Sequence, residues 1–155
     1  MWKFDQAVIN EIANRRSGST CAVMNRAVVE ADRNGSVGEL FDAFVARFSF
    51  TGLGGDWVEV SLVEAKAIAG EILWKDLAYG VCIMARREAD ALAGRFFSLF
   101  GPEVHCFTNR YFVPPGADRR TQSLTWNPIT DATFDIGVVC FDRDRVGILW
   151  VQDED

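Results

Sequence analysis

The sequence predicts an α+β domain, with a helix-rich N-terminal half packed on a mainly antiparallel sheet that ends in a C-terminal β-hairpin. Three observations predict it. The first half sets apolar residues three and four apart, the spacing of one helix face, and twice opens such a stretch with a capping box. Two apolar runs of strand length near the C-terminus flank a short charged turn. The chain has 155 residues, 49% hydrophobic and 25% charged, the size and balance of a single domain over 1–155.

Phe4 to Arg16 places Phe4, Ala7, Val8 and Ile12 on one helical face. Ser17-Gly18-Ser19 breaks the pattern, and Thr20 to Arg33 reads as a second helix stopped by Asn34-Gly35. Ser36 with Glu39 forms a capping box for a helix carrying Leu40, Phe41, Phe44, Val45 and Phe48. Gly52-Leu53-Gly54-Gly55 ends it. Ser61 with Glu64 opens another helix, to about Trp74. Leu77 to Met84 is a continuous apolar run of strand length, with helix as the alternative. Arg86 to Phe100 reads as a helix stopped by Gly101-Pro102, and Val104 to Asn109 as a strand. Val113 to Arg120 is a loop rich in proline and polar residues, followed by a strand over Gln122 to Trp126.

Phe134–Phe141 and Val146–Gln152 form the hairpin, turning at Asp142-Arg143-Asp144-Arg145. Pairing Phe141 with Val146 sets Gly137 opposite Trp150. Ile136, Val138 and Cys140 then share a face with Val151, Leu149 and Gly147. Val139 and Phe141 share the other with Val146 and Ile148. Both faces are apolar, so the hairpin belongs at the centre of the sheet, covered on both sides.

The first residues lack the basic and then apolar layout of a signal peptide, and no apolar run reaches the ~18 residues a membrane span needs. Cys21, Cys82, Cys106 and Cys140 are widely spaced with no CxxC pair, so unpaired thiols in a cytoplasmic protein are expected. No metal and no cofactor is expected, because the four cysteines and His105 lack ligand spacing and Asp142-Arg143-Asp144 lacks the rest of a calcium loop. His105 adjoins Cys106, but strand neighbours point to opposite faces, which disfavours a Cys-His nucleophile. The Gly52–Gly55 run has no following Lys-Ser/Thr, so it is a helix stop and not a phosphate loop. A net charge of −6 disfavours nucleic-acid partners. Nothing singles out a catalytic carboxylate pair.

The acidity is concentrated. Thr121 to Asp155 holds seven acids against Arg143 and Arg145, a net charge of −5, leaving only −1 for the other residues. Acids on turns and chain ends often serve solubility alone. The functional alternative is an ordered acidic contact surface for a basic partner, framed by Asp142, Asp144, Asp153, Glu154 and Asp155. Trp126 or Trp150 would be its aromatic anchor.

In this character, an acidic chain ending in Phe134-Asp135-Ile136-Gly137-Val138-Val139-Cys140-Phe141 and Gly147-Ile148-Leu149-Trp150-Val151-Gln152-Asp153-Glu154-Asp155 resembles the small acidic immunity proteins of bacterial contact-dependent inhibition and other polymorphic toxin systems. Those proteins share no motif, so the resemblance assigns no residue. It implies a non-catalytic cytoplasmic inhibitor that binds one toxin domain, often a nuclease, with no nucleic-acid or membrane partner. Two other classes stand beside it: an enzyme using carboxylates in a cleft between helices and sheet, and a structural or regulatory module that oligomerises through aromatic surface. A deep pocket with convergent, perturbed carboxylates would favour the enzyme.

Overall fold

The structure is a computed structural model that describes residues 2–16, 20–110 and 126–154. Its described elements run α1 (Trp2–Arg15), β1 (Thr20–Ala27), α2 (Val37–Ala46), β2 (Val58–Val60), α3 (Leu62–Trp74), α4 (Arg86–Phe97), β3 (His105–Thr108), β4 (Phe134–Phe141) and β5 (Arg145–Asp153). Short 3-10 turns cover Glu30–Asn34 and Gly54–Asp56. The five strands form one sheet in the order β1-β5-β4-β3-β2, antiparallel throughout. The fold class is therefore α+β, as the sequence predicts.

The hairpin lies in the register expected from its apolar pattern, with Phe141 opposite Val146 and Gly137 opposite Trp150. Because strand side chains alternate, this register sends Ile136, Val138, Cys140, Leu149 and Val151 into one core with α1, α3 and α4. It sends Val139, Val146, Ile148 and Trp150 into a second core under α2. Gly137 is required where it stands, because a Cβ there would come within 2.5 Å of the Trp150 ring and 2.3 Å of the Leu149 carbonyl.

Both capping boxes form as predicted. Ser36 accepts from the Glu39 amide and Ser61 from the Glu64 amide, and each glutamate returns a bond to the serine amide. Burial of Leu40, Phe41, Phe44 and Val45 turns one face of α2 to the sheet.

Several expectations are corrected. Thr20–Ala27 is a strand, not helix, because it pairs along its length with β5. Its Ala, Met and Arg are good helix formers, so local propensity is overridden by a partner more than a hundred residues away in sequence. Leu77–Met84 is neither strand nor helix but a turn. The Asp76 carboxylate accepts from the Tyr79 and Val81 amides, and Gly80 adopts a positive φ of 69°. β2 escapes a sequence reading because three residues carry no period of their own. α4 ends at Phe97, α2 at Ala46, and Arg145 belongs to β5, paired with Ala27. The predicted 113–120 loop and most of the 122–126 strand lie outside the described residues. Among the described residues, no helix is long and apolar enough to cross a membrane.

Candidate functional site

The candidate contact residues that the structure describes do not form one surface. β5 is nine residues long, so the Asp142–Asp144 turn and the Asp153–Glu154 end stand ~26 Å apart at the ~3.3 Å rise of a strand. Trp150 is fully buried and cannot be a surface anchor: its ring meets Trp57 edge-on, and its Nε1 donates to Asp135. Asp153, expected on the surface, is only 2% exposed. Asp142 is half-buried, its carboxylate accepting from the Gly101, Asp144 and Arg145 amides. Asp144 and Glu154 are exposed. Trp126 is half-buried against the first core, 5.6 Å from the Phe134 ring. Asp155 lies outside the described residues. Asp135 is buried too, accepting from the Ile129 and Thr130 amides, the Thr130 hydroxyl and the Asn109 amide group. Asp135 and Asp153 are thus buried and bonded internally, and composition overstates the acidity of the surface.

The Asp153 end is more elaborate. Arg16, just past α1, is 1% exposed. Its Nε donates to the Ile72 carbonyl at 2.7 Å, meeting an acceptor that the end of α3 leaves open. Its Nη2 meets Asp153 Oδ2 at 2.8 Å, and the same oxygen accepts from the Leu77 amide at 2.6 Å. One buried ion pair therefore joins α1, the end of α3, the following loop and the end of β5.

That loop presents what the sequence reading missed. Tyr79 is 71% and Val81 61% exposed, with Cys82 exposed beside them. They border a cavity of about 420 Å³ with Asp76, Ile83, Asp153 and Glu154. The amides of Tyr79, Val81 and Ala78 hold the Asp76 carboxyl below its ordinary pKa, helped by the charge of Arg16, so it stays ionised. Glu154 accepts from the amide and hydroxyl of Thr133, which fixes a second acid on the rim. An exposed tyrosine and valine thus stand on a loop anchored from beneath and flanked by two carboxylates. The signal available in sequence was Asp76 followed by Tyr79-Gly80, a turn-forming spacing inside an apolar run.

Nucleophilic and metal chemistry find no such arrangement among the described residues. His105 is exposed and stacks on Phe141 with ring centroids 5.2 Å apart, while Cys106 faces the core. Cys106 sits directly opposite Cys140 across β3 and β4, and burial pushes the Cys140 thiol well up. No group of three or more His, Cys, Asp or Glu is placed to hold a metal among the described residues. Comparisons with protein-family models, with curated proteins and with solved structures found no match.

Proposed function

We propose that the protein is a non-catalytic binding protein of the immunity type, a cytoplasmic inhibitor that neutralises a bacterial toxin domain through the loop after α3. The observation that carries this reading is the exposure of Tyr79 and Val81 on an anchored loop, beside the ionised Asp76 and beside Glu154 on the rim. A tyrosine on a fixed loop contributes large contact area at low entropic cost, the usual make-up of a binding hot spot. Carboxylates around it steer a basic partner such as a nuclease active site, and raise the association rate more than the final affinity. Tyr79 and Val81 replace Trp150 as anchors in this reading, with the Arg16–Asp153 pair as the support beneath.

The test is co-purification with the product of the adjacent gene, followed by binding kinetics. Tyr79→Ala is expected to speed dissociation and weaken binding by about 2 kcal/mol. Glu154→Gln is expected to slow association and flatten its salt dependence. A folded Tyr79→Ala protein that binds like the parent refutes the site. An adjacent product with no toxin domain, or one that does not bind, refutes the immunity reading.

A further inference from the structure

The cavity beside the Tyr79 loop has a buried acceptor in its wall that the fold leaves unused. Asp153 is 2% exposed and lines this cavity of about 420 Å³. Its Oδ2 takes both of the bonds the carboxylate makes, from Arg16 at 2.8 Å and from the Leu77 amide at 2.6 Å. Its Oδ1 is buried and accepts from no group of the described residues. Such an oxygen has lost its hydration without a replacement, a cost that an incoming donor would remove.

The charge of the wall says which donor. Its charged residues are Asp76, Asp153 and Glu154, all acids. The bases on the adjoining elements do not cancel them. Arg16 is committed to Asp153, and Arg86 pairs with Asp90. Lys75 does not line the cavity, and its Nζ lies 3.9 Å from the centre of the Trp74 ring. Counted in full, it offsets one of the two acids that remain, Asp76 and Glu154. Glu154 accepts from the Thr133 amide and hydroxyl, and a carboxylate has further lone pairs to offer. The rest of the lining is the aromatic ring of Tyr79, the aliphatic Val81 and Ile83, and Cys82.

We propose that this cavity receives one basic side chain, an arginine or a lysine, from the protein that docks on the Tyr79 loop, with Asp153 Oδ1 as the buried acceptor of its head group. The inference rests on the reading of that loop as a contact surface and adds what the partner must insert there. The methylene stem of a basic side chain covers Val81 and Ile83, while its cation faces carboxylates and the tyrosine ring. An anionic group would be repelled by Asp76 and Glu154. An apolar side chain would cover the valine and isoleucine but bring Oδ1 no donor. A metal ion is not favoured, because no three potential ligands among the described residues are placed to hold one.

Two blocked tripeptides test this by NMR titration of the labelled protein at low salt and neutral pH. One is glycine-arginine-glycine, and the other carries citrulline, nearly the same shape without the charge. The arginine peptide is expected to give saturable shifts at the amides of residues 76–83 and at the carboxyl carbon of Asp153, with Kd of about 10 mM or tighter. It should bind about fivefold tighter than the citrulline peptide. Glu154→Gln should shrink that preference, as should added salt. The Asp153 carboxyl carbon reports on the buried acceptor in the intact protein, so no variant that breaks the Arg16 pair is needed. Absent or unsaturable shifts at the cavity, equal affinity for the two peptides, or an Asp153 carboxyl carbon that does not respond would each overturn the proposal. The two readings can fail separately. Arginine binding at the cavity together with an adjacent gene product that does not bind refutes the immunity reading alone. A Tyr79→Ala protein with weakened partner binding, beside a parent cavity that ignores the arginine peptide, refutes this inference alone.

Discussion

The two ends of the β4–β5 hairpin carry acids of the same type and use them in opposite ways. At the turn, half-buried Asp142 serves backbone amides alone: its carboxylate closes the turn and tethers the Gly101 amide. At the open end, Asp153 is a long-range device, buried under a loop and paired with Arg16. The difference teaches that position in the fold, not residue type, decides whether an acid is surface charge. The turn end also exposes Arg33 and Arg143 beside Asp144, whereas the open end sets Asp76 and Glu154 beside the exposed Tyr79 and Val81.

The comparison is broken most severely at the buried pair. Removing either partner strands a charge in the interior, so Arg16→Ala or Asp153→Ala is expected to destabilise by roughly 3–5 kcal/mol in urea unfolding. Arg16→Met combined with Asp153→Leu should cost less than the sum of the single losses, because no charge is left uncompensated. Additive losses would mean that the two groups act separately.

The middle of the hairpin is the next largest effect. Gly137→Ala pushes a methyl group into Trp150 and the Leu149 backbone, and about 2 kcal/mol is expected from a core that is already full. Earlier thermal unfolding with unchanged Tyr79-dependent binding would confirm that this position serves the core and not the contact loop.

At the turn, Asp142→Ala should cost about 1–2 kcal/mol, less than the buried pair, because water reaches the freed amides. Its effect on Tyr79-dependent binding should be negligible. A loss as large as that of Asp153→Ala would erase the contrast between the two ends.

The smallest effect is with pH. Asp76 has a folded pKa below its unfolded value of ~3.9. Its contribution is therefore complete above that value and lost as pH falls through the lower, folded pKa. Asp32 at the turn end follows the same sign, held down first by the Arg26 hydrogen bond. Hydrogen exchange should show the Tyr79 and Val81 amides losing protection below about pH 4, after correction for intrinsic exchange. Protection that is flat with pH would mean that Asp76 does not organise the loop.

The sequence by itself determined the fold class, the two capping boxes and the hairpin with its register. Each rests on a local pattern: Ser followed three residues later by Glu, or apolar residues alternating across a strand pair. Only the tertiary structure decided that Thr20–Ala27 is a strand, because its hydrogen-bonding partner is the last strand of the chain. Only it decided which acids are surface. Asp135, Asp153 and Asp144 look alike in sequence, yet the first two are bonded inside and the third is exposed. It decided, too, that Tyr79 and Val81 leave an apolar run for solvent, because Asp76 binds the loop's amides and Asp153 ties down its start. A propensity is carried by neighbouring residues, whereas burial depends on what distant parts of the chain bring to the same place.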